Sequence, residues 1–444
     1  MSVFHKLRNN VFWLLDGLSG GEIAGHYREI ENVLSDYHSA KSKSIRENHL
    51  QNVIKHAITS SEYYKSYSNC KRLSELPIIN KNVLREYREA IISSKLKPSF
   101  EGKTSGSTGT PFSILQDKNK RKRNIADTLY FANKAGYKLG SKLIFIRVWR
   151  GHKKNRFTAW LQNIVKHDVR IIHNNPKKIL DYLERDKSNK GIVGHASALE
   201  SLSKYIQRNN LKPSVKNLNS VIGTSEHLND FSREKLSRQL NVPVVSRYSN
   251  VENGIIAQQD ISGSNHFQIN WASYYVEILK FDEDIPVEIG ELGRIVITDL
   301  FNYYMPLIRY DTGDIGALTL NDKGVPVFKS IEGRKLDLIH NTKGDIVPSL
   351  MIGTVLKNYP GIIQFQFIQE DKTRYILKLN VDNTYNGESK ILKEFLQILG
   401  EGSRMNIVYT SEIPLLASGK RRFVVNNYLK RQQNKQKKLR SNGT

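Results

Sequence analysis

The spacing of apolar and polar residues divides the chain into regions with different predicted secondary structure. Up to about residue 95, apolar positions recur with helical spacing, as in SIRENHLQNVIKHAI over residues 44–58. From about residue 140, short apolar runs alternate with helical stretches: KLIFIRVW, TAWLQNIVKH, VRIIHN, KKILDYLER, GIVGHAS, ALESLSKYIQRN, NSVIGTSE, FSREKLSRQL and VPVVSRYS. Strands that alternate with helices predict a doubly wound α/β sheet.

The second half of the chain has a different pattern. After Trp271, the runs YYVEILKF and GRIVITDL are separated by turn signals and predict a β-rich subregion. After IEGRKLDLI, the strands IIQFQFIQ, YILKLNV and MNIVYT flank one helix over residues 388–400. The sequence therefore predicts a large α/β domain over residues 1–334, a small α+β domain over residues 335–429 and a tail over residues 430–444.

Composition limits the class of protein. A chain of 444 residues exceeds what one hydrophobic core usually serves, which agrees with a large and a small domain. No apolar run approaches the roughly 20 residues that span a bilayer, and Asp16 interrupts the N-terminal VFWLL, so we expect a cytoplasmic protein without a transmembrane segment. The single Cys70 forms no internal disulfide and suggests no metal site.

The net charge of +25 can be interpreted in two ways. Six of these charges lie in the tail, which has no acidic residue and one aliphatic residue and is therefore expected to be disordered. Solvated lysine-rich faces explain the remaining charge without any function. Alternatively, the basic field attracts a polyanion or a membrane surface. We expect no nucleic-acid partner.

The stretch TSGSTGTPF, residues 104–112, precedes a predicted helix over residues 118–134. Backbone amides in such a turn can converge on phosphate oxygens, hydroxyl groups add donors, and glycines permit close approach. It is not a Walker A loop, because no GKS or GKT ends it. A surface turn is the alternative interpretation.

Four other segments carry side chains suited to nucleotide chemistry. RYSNVENG places Tyr248 and Glu252 just after a predicted strand, where α/β sheets bind ligands. RYDTGDIG sets Asp314 in a tight turn, where its carboxylate can accept hydrogen bonds from a ribose diol. IEGRKLD supplies Arg334, and LLASGKRRF places Lys420 on a glycine turn. Taken singly, Glu252 can equally be a surface acid and Asp314 a turn cap. Arg334 can equally be a member of a solvated ion pair, and Lys420 one more basic residue.

The order of the motifs TSGSTGTPF, GTSEHL, YSNVE, RYDTGD, EGRKLD and SGK resembles that of the adenylate-forming superfamily, from about residue 95 to 425. Within it, the pattern GHASALESLSKYI is most similar to phenylacetate-CoA ligases and CapK-type capsular-polysaccharide proteins. The resemblance implies an AMP-forming ligase that uses ATP and Mg²⁺ to convert a carboxylic acid into an acyl-adenylate. It also implies that the small domain is mobile about a hinge, so that two half-reactions share one pocket.

The resemblance also implies roles for individual residues. Lys420 would bridge the carboxylate and the α-phosphate, and Glu252 would bind Mg²⁺. The predicted nucleotide-binding residues are Ser105, Ser107, Thr108 and Gly109 on the phosphates, Ser225, Glu226 and Tyr248 around the adenine, and Asp314 and Arg334 at the ribose and phosphate. The predicted hinge residues are Lys335 and Leu336.

The chain departs from the family pattern at two places. Ser249 and Val251 replace the usual glycine and threonine or serine, and Val251 neither donates nor accepts a hydrogen bond. Leu336 stands where the family has an acidic hinge residue, with Asp337 one place later. The first departure predicts a lost or replaced nucleotide or metal contact, and the second leaves the identity of the hinge residue open.

Substrate and acceptor are the least determined features. The candidate substrate contacts are His195, Arg147 and Trp149. A cationic pocket there would suit an acidic or sugar-linked substrate. The acceptor is a thiol, such as coenzyme A in a phenylacetate-like enzyme, or an amine or hydroxyl in a surface-polysaccharide pathway. Two other classes remain open: a polyanion-binding module, and a catalytically silent homologue within a polysaccharide assembly complex.

Overall fold

The computed structural model describes residues 3–70, 72–104, 112–149, 155–226, 228, 230–334, 337–414 and 421–432. It contains mixed α/β structure, with helices and a large sheet followed by a smaller C-terminal sheet, and this confirms the predicted fold class. Among the described residues, no helix is both long and apolar enough to cross a membrane.

The described helices follow in chain order. They are α1 Val3–Leu18, α2 Glu22–Ser35, α3 Ala40–Ser60, α4 Glu62–Lys65, α5 Lys81–Glu86, α6 Arg88–Ile91, α7 Lys118–Lys134, α8 Arg156–Gln162, α9 Val169–Asn174, α10 Pro176–Arg185, α11 Ala196–Arg208, α12 Asp230–Leu240, α13 Ser349–Lys357 and α14 Glu388–Leu399.

The described strands form four sheets, ordered β1-β2, β10-β11-β12-β13-β9-β8-β7-β6-β5-β3-β4, β14-β15 and β18-β17-β16-β19. Their bounds are β1 Phe100–Thr104, β2 Phe112–Gln116, β3 Lys142–Arg147, β4 Ile164–Asp168, β5 Lys190–His195, β6 Leu218–Thr224, β7 Val244–Asn250, β8 Gly254–Gln259, β9 Phe267–Ile269, β10 Tyr274–Leu279, β11 Gly293–Asp299, β12 Tyr310–Leu320, β13 Pro326–Arg334, β14 Ile339–His340, β15 Ile346–Val347, β16 Ile362–Gln369, β17 Arg374–Val381, β18 Arg404–Tyr409 and β19 Val424–Asn426.

The strands β4, β3, β5, β6 and β7 are parallel and have helices on both faces, as the alternating pattern predicts. Ile192 and the residues of α9 to α12 pack on one face, while Val193 and Ile222 pack with Ala135, which follows α7, on the other. Neighbouring apolar residues therefore enter different cores because successive side chains of a strand point to opposite faces. Both faces of this half of the sheet are covered.

One part of the predicted alternation is wrong. The stretch TAWLQNIVKH is not one helix, because α8 ends at Gln162 and β4 follows, and VRIIHN is helix α9 rather than a strand. Asn163 has a left-handed backbone that ends α8, and the Asp168 carboxylate accepts a hydrogen bond from the Arg170 amide at the start of α9. Local capping therefore outweighs the apolar pattern of this segment.

The other half of the large sheet is antiparallel and curls back on itself. Strands β7 and β12 are four positions apart in the sheet order, which in a flat sheet is a separation of roughly 19 Å. Nevertheless, the Tyr248 hydroxyl on β7 lies 2.8 Å from the Asp314 carboxylate on β12. The curl encloses an apolar core that includes Phe267, Trp271 and Phe328. It brings side chains from distant strands to one site.

The hairpin β1–β2 pairs Thr104 with Phe112, the residues on either side of the undescribed stretch 105–111. Helix α7 follows the hairpin and begins at Asp117, whose carboxylate accepts hydrogen bonds from the Lys120 amide and from the amides of Tyr303 and Tyr304. Lys120 also forms a fully buried ion pair of 2.6 Å with Asp299 on β11. Both ends of the 105–111 stretch are thus anchored to the curled sheet.

The described residues from 337 onward, called here the C-terminal part, form the four-stranded sheet with helices α13 and α14 around a core of their own. The predicted helix over 388–400 is confirmed as α14, and α13 is an additional helix that the pattern did not predict. Lys430, assigned to the predicted tail, donates a hydrogen bond to Asp337, whereas residues 433–444 lie outside the described ranges.

Candidate functional site

Three side chains singled out by the sequence motifs converge at the carboxyl end of β7. The Tyr248 hydroxyl donates a 2.8 Å hydrogen bond to Asp314 on β12. Arg334, the last residue of β13, is the cross-strand partner of Asp314 and is exposed. A partly buried tyrosine ring beside a carboxylate and a guanidinium presents an apolar face, an acceptor and a cation, which are the groups that an adenosine phosphate needs.

A second carboxylate lies in the turn after β7. Glu252 is 2% exposed, and one of its oxygens accepts a 3.1 Å hydrogen bond from the Tyr310 hydroxyl on β12. The same oxygen lies 3.0 Å from the ammonium of Lys81, the first residue of α5. Gly254 follows with φ +112°, and an added Cβ would lie 2.8 Å from Asn124. The turn therefore requires glycine there and holds Glu252 close to β12.

Electrostatics at this cluster are governed by burial. Burial raises the pKa of Asp314 above its ordinary value, although the Tyr248 hydrogen bond and the nearby cations Arg334 and Lys81 lower it. Burial and the Asp314 charge hold the pKa of Tyr248 well above its usual range. The Tyr310 pKa is also raised, by burial and by Glu252. Both tyrosines are therefore neutral donors at neutral pH.

The implied Mg²⁺ fits this donor set. Within the described ranges, no group of three or more His, Cys, Asp or Glu side chains is arranged to hold a metal ion. Mg²⁺ that is bound together with phosphates commonly uses only one or two carboxylates, because phosphate oxygens and water supply its other ligands. Glu252 is a buried carboxylate that already attracts a cation, Lys81, so it suits that role.

The GTSEHL motif follows β6 and connects the two parts of the molecule. Ser225 has a left-handed backbone with φ +75°, which turns the chain sharply after the strand. One Glu226 carboxylate oxygen accepts a 3.0 Å hydrogen bond from the Ser197 amide at the start of α11, and the other accepts a 2.6 Å bond from the Arg421 amide. Glu226 therefore joins the strand end to the residue that follows Lys420. The adenine-lining role predicted for Ser225 and Glu226 stays a prediction.

Arg421 is held by carboxylates from both parts of the chain. Its side chain is buried and lies 2.8 Å from Glu200 on α11 and 2.7 Å from Glu412. Its Nε also donates to the Ile413 carbonyl at 2.9 Å. Burial raises the Glu200 pKa to about 7, the nearby Glu226 charge adds to this, and Arg421 opposes it.

Helix α11 supplies most of the other contacts to the C-terminal part. Lys204 pairs with Glu412, and Arg208 donates a 2.8 Å hydrogen bond to Asn380. On the neighbouring α12, Glu234 lies 2.7 Å from Lys357 of α13. These contacts hold the C-terminal part against α11 and α12.

Several predicted site residues lie outside the described residues. They are Ser105, Ser107, Thr108 and Gly109 of the hydroxyl-rich loop, Lys335 and Leu336 of the predicted hinge, and Lys420. Their roles, and the domain boundary near Arg334, stay predictions.

The candidate substrate residues lie along the same sheet edge. His195 ends β5, is 9% exposed and precedes α11, and Arg147 ends the neighbouring strand β3. Trp149 donates hydrogen bonds to the carbonyls of Phe145 and His167, and Arg147 lies over its ring at 4.7 Å. The indole N–H is thus used within the protein, so Trp149 could offer a substrate only its ring. The substrate roles stay predictions.

The two departures from the motif after β7 have structural partners. The Ser249 hydroxyl lies 3.4 Å from the Thr224 hydroxyl at the end of β6. Val251 lies against Gly102 of β1, where an added Cβ would be 2.9 Å from a Val251 methyl carbon. Val251 therefore packs a methyl group on the hairpin that carries the hydroxyl-rich loop.

Sequence reasoning missed four residues of this region. Tyr310 stands inside the quoted RYDTGD motif, and Arg421 follows the quoted lysine, so both lay within reach of the argument. Glu200 likewise lies within the quoted pattern GHASALESLSKYI, whereas Lys81 carries no such signal, because it lies far along the chain from Glu252.

Comparisons with known proteins agree with this architecture. Residues 338–427 match the family model "CapK C-terminal domain". "Protein CapK" of Staphylococcus aureus is 24% identical over 375 residues, which are 80% of each chain.

Solved structures share the fold. A 2-hydroxyisobutyryl-CoA ligase in the postadenylation state, in complex with R3-HIB-AMP, has a TM-score of 0.70 at 15% identity, over 90% of this chain and 92% of that one. The same ligase in the thioesterification state has a TM-score of 0.53 at 16% identity, over 90% and 93%. ATP-bound MatB of Rhodopseudomonas palustris has a TM-score of 0.52 at 16% identity, over 72% and 66%. Residues 338–427 thus resemble the C-terminal domain of CapK proteins, most of the chain is similar to CapK of Staphylococcus aureus, and the chain shares the fold of these ligases.

Proposed function

We propose that the protein is an ATP-dependent, AMP-forming ligase. In the first half-reaction, a carboxylate oxygen of the substrate attacks the α-phosphorus of ATP, the bond to the bridging oxygen of pyrophosphate breaks, and an acyl-adenylate forms. In the second, a nucleophile attacks the acyl carbon and AMP leaves. The observation that carries the proposal is the convergence of Tyr248, Asp314 and Glu252 at the carboxyl end of β7, beside the C-terminal part.

The residues of the cluster have distinct parts in this proposal. Tyr248 offers its ring to the adenine, and the Asp314 carboxylate accepts hydrogen bonds from the ribose hydroxyls, with Arg334 beside it as a cation for ribose or phosphate. Tyr248 donates to Asp314 already, which fixes the direction of that carboxylate before ligand binds. Ser105, Ser107, Thr108 and Gly109 would contact the β- and γ-phosphates, since β1 and β2 anchor both ends of their loop.

The chemical step brings an anionic carboxylate to a polyanionic triphosphate, so most of its barrier is like-charge repulsion. Mg²⁺, held by Glu252, would neutralise phosphate charge when bound. Lys420 supplies the second cation, bridging the carboxylate and the α-phosphate. The backbone contact from Arg421 to Glu226 supports this, because it fixes the residue next to Lys420 at the end of β6.

The similarity to two states of one ligase supports a particular stage of the reaction. The TM-score is higher with the postadenylation state than with the thioesterification state, at similar coverage. We infer that the described arrangement corresponds to the adenylation half-reaction, and that rotation about the segment with Lys335 and Leu336 gives the second one.

The acceptor and the carboxylic acid are finer points of the same proposal. The 2-hydroxyisobutyryl-CoA ligase in the thioesterification state is in complex with coenzyme A, which supports a thiol acceptor. An amine or sugar hydroxyl would instead suit surface-polysaccharide synthesis, which the resemblance to CapK-type proteins favours. The reaction would take place in the cytoplasm, where ATP is made.

Exchange of labelled pyrophosphate into ATP tests the proposal. A panel of carboxylic acids should include at least one that supports exchange, and chelation of Mg²⁺ should abolish it. Lys420→Ala should lower the exchange rate by about 10²-fold or more, because the cation acts in the transition state. Steady release of pyrophosphate with and without coenzyme A then identifies the acceptor class.

Absence of exchange with every acid, together with ATP binding, would support a silent homologue instead. Salt-dependent polyanion binding that Lys420→Ala leaves unchanged, without exchange, would support a binding module.

A further inference from the structure

Helix α1 carries large apolar side chains that face solvent. Within the described residues, exposed large hydrophobic side chains cluster on this helix, with exposed fractions from 37% for Leu15 to 78% for Leu18. The residues concerned are Phe4, Leu7, Leu14, Leu15 and Leu18. At 100° per residue they all fall, with Val11, within one sector of about 100°. We call this sector the α1 stripe.

The opposite side of α1 is firmly attached to the protein. The Asp16 carboxylate accepts hydrogen bonds from the Ile23 and Ala24 amides of α2, and Trp13 packs edge-on against Tyr27 at 5.9 Å. Arg8 donates a 2.9 Å hydrogen bond to the Trp160 carbonyl of α8. The α1 stripe is therefore exposed on a docked helix.

Apolar and cationic residues continue beside the stripe. Phe157 on α8 is 54% exposed, and its ring lies 6.0 Å from that of Trp160, which Arg8 also contacts. Lys6 is exposed and lies on the other side of the stripe, about 80° around the helix from Leu14 and beyond Asn10. The surface thus combines an apolar centre with cationic edges, on a chain of net charge +25.

Two other occupants of the stripe fit less well. The segments of the chain outside the described residues are polar or basic in sequence, with Leu336, Leu415, Leu416 and Leu439 as their only leucines, so they offer little to cover it. A second copy of the chain would bring the cations Lys6 and Arg8 of both copies together, between two strongly basic molecules. An anionic surface with an apolar interior complements both the charge and the stripe.

We propose that helix α1 docks the protein on an anionic membrane surface. The helix lies in the plane of the membrane, with the α1 stripe and Phe157 among the acyl chains and Lys6 at the level of the headgroups. Anionic headgroups attract the basic molecule, and burial of the stripe provides the affinity that charge alone lacks. The proposed ligase site would then work next to a bilayer.

Co-sedimentation of the full chain with lipid vesicles tests this proposal. The wild type should sediment with vesicles of phosphatidylglycerol and phosphatidylcholine and much less with phosphatidylcholine alone. Leu7→Asn with Leu14→Asn should weaken the binding by at least about tenfold, because two leucine side chains no longer enter the apolar layer. A matched control, Ile261→Asn with Ile289→Asn, removes exposed apolar residues elsewhere and should bind like the wild type.

Pyrophosphate exchange and thermal melting of both double variants verify that they fold, and keep this test separate from the proposed reaction. Equal vesicle binding by the wild type and the α1 variant would overturn the proposal, since net charge would then explain the binding. A wild-type dimer that the α1 variant converts to a monomer without lipid would overturn it in favour of a second copy.

Discussion

At the scale of single residues, carboxylates determine how the two parts of the molecule meet. Glu226 accepts hydrogen bonds from the amides of Ser197 and Arg421, and the Arg421 side chain lies between Glu200 and Glu412. A buried arginine needs such partners, because an unpaired buried charge would be strongly destabilising. The motif GTSEHL and the residue after SGK therefore have a structural role in addition to the predicted nucleotide chemistry.

Glu200 should make the stability of the protein depend on pH near neutrality. Because burial raises its folded-state pKa to about 7, the folded protein holds a proton that the unfolded chain releases at lower pH. The stabilising contribution of Glu200 is fully present below its unfolded-state pKa and is lost as the pH rises through about 7. The melting temperature of the wild type, relative to that of Glu200→Gln, should therefore be higher at pH 5 than at pH 8.

Glu412→Gln is the matched control for this measurement. Burial acts to raise the Glu412 pKa, but hydrogen bonds from Lys204 and Gln364 lower it overall. The stabilising contribution of Glu412 is lost only as the pH falls below the ordinary pKa range of a glutamate. The difference in melting temperature between the wild type and Glu412→Gln should therefore be the same at pH 5 and pH 8. A pH-independent difference for Glu200→Gln as well would contradict the assigned shift.

At the scale of elements, strand β12 presents different chemistry on its two faces. Tyr310, Thr312 and Asp314 alternate along one face, and Tyr310 and Asp314 reach Glu252 and Tyr248. Asp311, on the other face, forms a 3.0 Å ion pair with Arg294 of β11. The RYDTGD motif therefore contains two aspartates with separate roles, which period-two alternation distinguishes.

Asp314→Asn should weaken ATP binding while Asp311→Asn should not. The first variant loses the charge that we propose accepts hydrogen bonds from ribose hydroxyls, whereas the second changes the ion pair of Asp311 with Arg294 on the other face of β12. Loss of one charge-assisted contact of about 1.5–3 kcal/mol should raise the KM for ATP by roughly 10- to 150-fold. Pyrophosphate exchange at varied ATP measures it. Equal effects of both substitutions would indicate damage to the strand rather than loss of a ligand contact.

At the scale of the whole molecule, Arg421 couples the orientation of the C-terminal part to the site. Its backbone is fixed by Glu226 of the large sheet and its side chain by Glu200 of α11, while α11 also binds Glu412 and Asn380. Among the described residues, no carboxylate forms an ion pair with the side chain of the next residue, Arg422, whose carbonyl accepts a 2.8 Å hydrogen bond from Gln366. Two neighbouring arginines thus offer a matched comparison.

Arg421→Ala should slow adenylation selectively. Without the Glu200 and Glu412 contacts, the C-terminal part occupies the adenylation arrangement less often, so the pyrophosphate exchange rate should fall by about 10- to 100-fold for a loss of roughly 1.4–2.7 kcal/mol. The rate of acyl transfer from a preformed acyl-adenylate, measured in a single turnover, should change much less. Arg422→Ala should resemble the wild type in both the exchange rate and the transfer rate. An equal fall in both half-reactions would contradict a role in domain orientation.

Much of the architecture was predictable because it depends on local pattern. Helix α7, the strands β10, β11, β16 and β17, and helix α14 follow from period and turn signals, and the order of six motifs resembles that of a superfamily whose fold the chain shares. Tyr248, Glu252 and Asp314 were identified in the same way, as members of local motifs. The error at VRIIHN arose because six apolar and polar residues fit a strand or a helix, and a capping bond decides between them.

The sequence by itself thus determined most of the elements and their order, and it singled out the motifs that are candidates for nucleotide chemistry, because such information lies within short stretches of chain. Tertiary structure alone decided that Lys81 meets Glu252, that β12 lies against β7 across a curled sheet, and that Glu200 and Glu226 hold Arg421. Each of these contacts joins residues far apart along the chain, and its distance depends on sheet curvature and helix packing. No local spacing encodes that curvature, since it results from how the whole core fills space.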